Sequence, residues 1–164
     1  YYEKCLLLRK YYDRPAVTTD IIAGFPGETE EDFEESLEFV RNIGFSDLHV
    51  FKYSRRKGTA ADRMPDQVPE EVKAERSGRM SALAEELSDA FLKERCGMPA
   101  EVLTEEPAAL DGQEGFTGYT AEYIRTFVPG PGGPNRVVSG ILEPGSGALP
   151  VLKACSCGED PFTE

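Results

Sequence analysis

The sequence predicts an α/β part followed by a small all-β module. Three features carry that expectation. A strand, a glycine turn, a helix and a second strand succeed one another between Ala16 and Tyr53. A long amphipathic helix follows Pro69. Beyond Pro99 the chain changes to short apolar–polar segments cut by Gly and Pro. The expected division is 1–97, 98–154 and a tail, 155–164.

Residues 1–12 read as the end of a helix, with Leu6, Leu7 and Leu8 among charges, broken at Asp13-Arg14-Pro15 because the residue before proline avoids helical backbone. Ala16–Ala23 (AVTTDIIA) is β-branched and apolar at both ends, a buried strand. Gly24-Phe25-Pro26-Gly27 is a tight turn. Thr29 and Asp32 stand in capping-box spacing, and Glu30, Glu31, Asp32 and Glu34 load the helix start with carboxylates that its dipole favours. Phe33, Leu37 and Val40 form its apolar stripe, and Gly44 its C-terminal cap. Phe45–Tyr53 is a second strand, which completes a β-α-β unit and implies a parallel pair. The helix from Pro69 to about Cys96 buries Val72, Met80, Leu83, Leu87 and Phe91. After Pro99, the segments AEVLTEE, GFTGYTAEYIRTFV, NRVVSGILE and LPVLKA, with breaks at Asp111-Gly112, Pro129–Gly133 and Pro144-Gly145, suggest a small barrel or sandwich.

Composition excludes several classes. The 164 residues carry a net charge of −12 with 40% apolar residues, a globular balance rather than a disordered one. No apolar run approaches the ~20 residues that span a bilayer, and no secretory signal opens the chain, so the expected location is the cytoplasm. The chain opens on Tyr rather than Met, which reads as a missing N-terminus. The acid excess argues against a free-standing nucleic-acid binder, and DNA is not an expected partner. Cys5, Cys96, Cys155 and Cys157 form no C-x-x-C pair or metal-ligand spacing, so no metal site is expected; reduced thiols are the plain reading, with a role for the C-terminal C-x-C pair as the other.

Three stretches could carry chemistry. Thr19–Thr29 leaves the carboxyl end of a parallel strand, where ligands of α/β sheets bind; its glycines admit a ligand close to the backbone. It lacks G-K-[ST], and Glu28 would repel a phosphate, so an adenine face and sugar hydroxyls suit it better. The plain alternative is a turn and a helix start. His49–Thr59 ends the next strand on the same rim, with Lys52, Arg55, Arg56 and Lys57 giving +4 within six residues. That local reversal of sign would attract phosphate or carboxylate; a solvated basic loop is the alternative. His49, if it points inward, is a hydrogen-bonded core residue rather than a base. In the β module, Phe116, Tyr119, Tyr123, Arg125 and Phe127 are either base-stacking groups or barrel core.

Thr19–Phe33 (TDIIAGFPGETEEDF) followed by Leu48–Ala61 (LHVFKYSRRKGTAA) closely resembles the radical S-adenosylmethionine methylthiotransferases, and Met64–Val68 with the following helix continues the likeness. Gly118–Arg125 (GYTAEYIR) resembles the middle of a TRAM domain, a small RNA-binding barrel. The resemblance implies the C-terminal part of a partial parallel (β/α) barrel followed by a five-stranded antiparallel, OB-like TRAM barrel. L-H-V-F-x-Y-S-x-R-x-G-T, with G-Y-T-x-x-Y, is most similar to the branch that adds a methylthio group to carbon 2 of threonylcarbamoyladenosine beside the tRNA anticodon. The isopentenyladenosine and ribosomal-protein branches are the nearer alternatives, and a non-catalytic RNA-binding module is the rival of another class.

The resemblance implies that Ile22, Gly24, Gly27, Glu28, Phe51, Tyr53 and Arg56 adjoin S-adenosylmethionine. It implies that Lys52, Arg55, Lys57, Tyr119, Tyr123 and Arg125 face tRNA. It also implies two 4Fe–4S clusters, whose C-x-x-x-C-x-x-C motif and three further cysteines do not occur in this sequence. The expectation is therefore a C-terminal fragment, inactive alone, with no catalytic residue of its own. The likeness departs at Pro129–Pro134 and in the tail. The acid excess sits on helix faces such as Glu30–Glu38, whereas the basic run lies at the rim.

Overall fold

The structure, a computed structural model, describes residues 1–146 and 149–154. The expected tail, with Cys155 and Cys157, lies outside the described residues. The chain divides into two compact units, Tyr1–Ser88 and Asp89–Glu164. Among the described residues no helix is long and apolar enough to cross a membrane.

In the first unit α1 (Tyr2–Tyr11), β1 (Thr18–Ala23), α2 (Glu30–Ile43), β2 (Asp47–Lys52) and most of α3 (Glu70–Arg95) follow in order. The capping box forms as its spacing predicts: Asp32 N–H donates to Thr29 Oγ1 at 3.1 Å and Thr29 N–H donates to Asp32 Oδ2 at 2.9 Å. Gly44 ends α2 in the left-handed region, φ 63°. Phe33, Val40 and Ile43 of α2 then meet Phe45, Leu48, Met80, Leu83 and Ala84 in one core. Burying each large side chain there contributes about 1.5–3 kcal/mol. Cys5 of α1 belongs to the same core, which is what that thiol does.

β1 and β2 pair in parallel, from Thr18 opposite Asp47 to Ala23 opposite Lys52. Side chains alternate across a strand, so Ile21 and Val50 pack against the core while Asp20, Ile22, His49 and Phe51 lie on the other face. That face is uncovered within the unit: Ile22 and Phe51, partners in register, are each 53% exposed. His49 is exposed beside Asp20, so it is not a core histidine.

In the second unit β3 (Pro99–Leu110), β4 (Gln113–Thr120), β5 (Arg125–Pro129), β6 (Val137–Glu143) and β7 (Val151–Ala154) close a barrel in the order β3-β4-β5-β7-β6. The expected antiparallel pairing is found at four of the five contacts, and the fifth, β5 with β7, is parallel. The reason is parity: a closed ring of five strands cannot alternate direction at every step. The run GFTGYTAEYIRTFV is also two strands, not one. Thr120 Oγ1 accepts from the N–H groups of Glu122 and Ile124, each at 3.2 Å, and turns the chain back, with Tyr123 at φ 63°.

β3 is longer than the AEVLTEE segment because its pairing with β4 runs on to Leu110 opposite Gln113, and its register shifts between Thr104 and Glu106. A bulge there bends the strand around the barrel. Thr104, fully buried, anchors the Pro129–Pro134 insertion by donating from Oγ1 to Gly133 O at 2.8 Å. The division between the units falls inside α3. In its last turn Arg95 pairs with Glu122 at 3.1 Å, and just beyond it Gly97 N–H donates to Leu142 O at 2.7 Å.

The tight barrel depends on glycine at Gly118, where a Cβ would lie 1.9 Å from Leu103 O on the paired strand. Gly78, in α3, has open space instead. Gly118→Ala is therefore expected to speed amide hydrogen exchange across β3–β4, while Gly78→Ala stabilises α3 by roughly 0.5–1 kcal/mol. Unchanged protection in Gly118→Ala contradicts the close approach.

Candidate functional site

The rim at the carboxyl ends of β1 and β2 is built from a glycine turn held from behind by cations. After Ala23, Gly24 adopts φ 77° and Gly27 φ 88°, a region that disfavours side chains. Glu28 N–H donates to Phe25 O at 3.0 Å, closing the turn, and Gly27 N–H donates to Asp66 O at 2.9 Å. Glu28 folds back under its own turn: Oε1 accepts from Gly24 N–H at 3.0 Å and from Arg76 Nη1 at 2.8 Å. Arg76 also donates to Glu28 O at 3.0 Å and to Glu30 Oε2 at 3.1 Å. Its side chain is only 6% exposed. A buried charge needs such pairing, or its desolvation would destabilise the fold. Burial alone would lower the Arg76 guanidinium, but Glu28 and Glu30 outweigh it and hold it above its ordinary value.

Lys73, one turn earlier, fills the space that Gly24 leaves empty. A Cβ on Gly24 would lie 2.3 Å from Lys73 Cγ. The ammonium donates to Glu70 Oε1 at 2.7 Å and sits 5.2 Å from the centre of the Tyr53 ring. Phe25 meets the same ring edge-on at 5.3 Å. Tyr53 is buried and its hydroxyl has no partner among the described residues. Glu70 also pairs with Lys52 at 3.4 Å; its hydrogen bonds with Lys73 and then Lys52 hold its carboxyl below the ordinary 4.5. Arg79 bridges Glu30 and Glu34 from α3 and lies over Phe33; these carboxylates raise its guanidinium above its ordinary value.

In the second unit Tyr119 and Tyr123 flank the β4–β5 turn with ring centres 6.1 Å apart. Tyr123 is 83% exposed, and Arg125 is exposed two residues on. Phe127, by contrast, is barrel core.

Comparison with known proteins gives 44% identity over 124 residues to the threonylcarbamoyladenosine tRNA methylthiotransferase MtaB of Bacillus subtilis, covering 75% of this chain and 28% of that protein. Two tRNA-2-methylthio-N(6)-dimethylallyladenosine synthases also match. That of Caldicellulosiruptor saccharolyticus is 52% identical over 88 residues, covering 54% of this chain and 19% of the relative. That of Oceanobacillus iheyensis is 40% identical over 131 residues, covering 80% and 25%. No family model matches.

The chain is a homologue of the tRNA methylthiotransferases. It spans between 19% and 28% of the length of these relatives.

In this methylthiotransferase homologue the rim gathers Ile22, Gly24, Gly27, Glu28, Phe51, Lys52 and Tyr53 around two adjacent strand ends. Arg55, Arg56 and Lys57 follow in the loop beyond β2, whereas Tyr119, Tyr123 and Arg125 belong to the other unit. Ile22 and Phe51 offer an open apolar face that fits an adenine ring, and Gly27 has open space where its side chain would be. Gly24 and Glu28 are occupied from within, by Lys73 and Arg76. The described residues do not fit an iron–sulfur cluster. No three His, Cys, Asp or Glu among them could hold a metal ion, Cys5 is core, and burial pushes the Cys96 thiol up.

Sequence reasoning missed Lys73 and Arg76. The signal was present: with Met80, Leu83 and Leu87 they continue one stripe at spacings of three and four, and its first two places are basic. Arg76→Met, which keeps volume but removes the charge, is expected to cost about 3 kcal/mol, because it strands the Glu28 carboxylate. Adding Glu28→Gln is expected to recover part of that loss. A urea titration checks both, and an Arg76→Met protein as stable as wild type contradicts the role assigned to the pair.

Proposed function

We propose that this chain forms one wall of the S-adenosylmethionine site, and part of the tRNA-facing surface, of a radical S-adenosylmethionine tRNA methylthiotransferase of the cytoplasm. The proposed reaction places a methylthio group on carbon 2 of threonylcarbamoyladenosine beside the anticodon. The observation that carries this reading is the uncovered β1–β2 face at the strand carboxyl ends, where Ile22 and Phe51 lie side by side. Such strand ends are where α/β folds bind their ligands.

S-adenosylmethionine, when bound, supplies the carbon-radical chemistry. The chain's own residues bind and orient. Ile22 and Phe51 take the adenine face and exclude water from it. Gly27 lets the cofactor approach the backbone. Arg76 and Lys73 keep the turn and Tyr53 fixed from behind. Tyr119 and Tyr123 stack on tRNA bases, with Arg125 on the phosphate backbone. The described residues offer no cluster ligands, so no step through a cluster is assigned to them.

A second reading, dimethylallyladenosine as the substrate, is favoured by relatives of that name at 52–53% identity over 88–91 residues. Mass spectrometry of tRNA nucleosides decides between them. The whole gene is expressed in a strain lacking both methylthiotransferases. Appearance of 2-methylthio-threonylcarbamoyladenosine is expected. The dimethylallyl product instead supports the second reading, and neither product contradicts both. Residues 1–164 alone are expected to restore neither.

A further inference from the structure

The run from Lys52 to Lys57 holds four cations, yet the fold neutralises two of them. Lys52 pairs with Glu70, and Arg55 with Asp62. The second pair does more than cancel charge. Arg55 Nε donates to Asp62 Oδ1 at 2.6 Å and Arg55 Nη2 to Asp62 O at 2.7 Å. Gly58 N–H donates to Asp62 Oδ2 at 3.1 Å. Asp62 N–H in turn donates to Thr59 Oγ1 at 3.2 Å, and Thr59 Oγ1 donates to Arg56 O at 2.8 Å. One carboxylate therefore grips both ends of the four-residue stretch Arg55–Gly58. The Asp62 side chain is 19% exposed. The Gly58 N–H, and then Arg55, hold its carboxyl below the ordinary 3.8.

Between the two gripped ends stand Arg56 and Lys57. Both are exposed, and among the described residues neither has an ion-pair partner. The acid has not silenced the basic run; it has fixed the backbone under its two remaining cations. Ordering a loop in advance removes a cost that binding would otherwise bear, and cations at fixed spacing are what a phosphate backbone selects.

We propose that Asp62 is a positioning residue for tRNA binding: it staples the 55–58 loop so that Lys57 and Arg56, the latter reassigned from the cofactor side where the resemblance alone would set it, meet the phosphate backbone together. This rests on the tRNA reading above. Its consequence runs against simple charge. Removing an acid should strengthen binding to a polyanion, whereas removing this acid should weaken it.

The test is tRNA binding by the whole protein, followed by fluorescence anisotropy across a salt series. Asp62→Asn is expected to bind about fivefold more weakly and to lower the slope of log K against log salt by roughly one, as when a phosphate contact is lost. Glu71→Gln is the control. It removes one negative charge from an exposed side chain in the first turn of α3 and should bind as well as wild type or slightly better. If wild type binds and Asp62→Asn binds equally or more tightly, the inference fails and the tRNA reading stands. If wild type binds no tRNA even at low salt, the tRNA reading fails and takes the inference with it.

Discussion

The interaction on which the rim depends is the one between Arg76, Glu28 and the Gly24 N–H. A chain leaving a parallel strand toward a helix must turn sharply, and the turn here places two glycines at positive φ. Such backbone is held only when its surroundings over-determine it. Glu28 supplies an acceptor to the first N–H of the turn, and Arg76 fixes that acceptor in place. Lys73 packs into the missing side chain of Gly24 and under Tyr53. The hydrophobic core holds α2 against the strands. The buried cations of α3 hold the loops that leave them. The face opposite, with Ile22 and Phe51, stays open, and Lys73, Arg76, Glu28 and Glu70 are committed behind it or along its edge.

Much of the local structure was legible in the sequence because it rests on near-neighbour chemistry. Thr29 and Asp32 cap α2 from three residues apart, and Gly44 ends it. The alternation of β2 was legible too. It failed to say where His49 points only because the outward or inward sense of a strand depends on what covers the sheet. What escaped reading was set by distant partners. Arg76 and Lys73 look like solvated helix charges until Glu28, 48 residues away from Arg76, is seen beneath the turn. The barrel needed one parallel pair by parity, a property of ring closure that no single segment displays. The split of Gly115–Val128 was local, yet its turn is made by Thr120 Oγ1 rather than by Gly or Pro, so it carried no punctuation.

The candidate site was legible in outline and misjudged in its charges. Net charge of −12 suggested a chain that avoids polyanions. The basic run suggested four free cations. Both readings counted residues without their partners. Glu30 and Glu34 face arginines of α3, and Lys52 and Arg55 face acids. What remains near the rim is an apolar face, a fixed turn and, on a stapled loop, Arg56 and Lys57, which have no ion-pair partner among the described residues. In the second unit an exposed tyrosine pair stands at a hairpin turn. That inventory suits a nucleoside-containing cofactor and a nucleic-acid backbone better than either count did.

The role proposed for the uncovered β1–β2 face is to receive the adenosyl group while α3 holds its rim rigid. Amide hydrogen exchange of the whole protein with and without S-adenosylmethionine tests it most directly. The account predicts slowed exchange on binding in the segments 22–27 and 51–53, with the α2 core unchanged. Binding that leaves those two segments unprotected would contradict it.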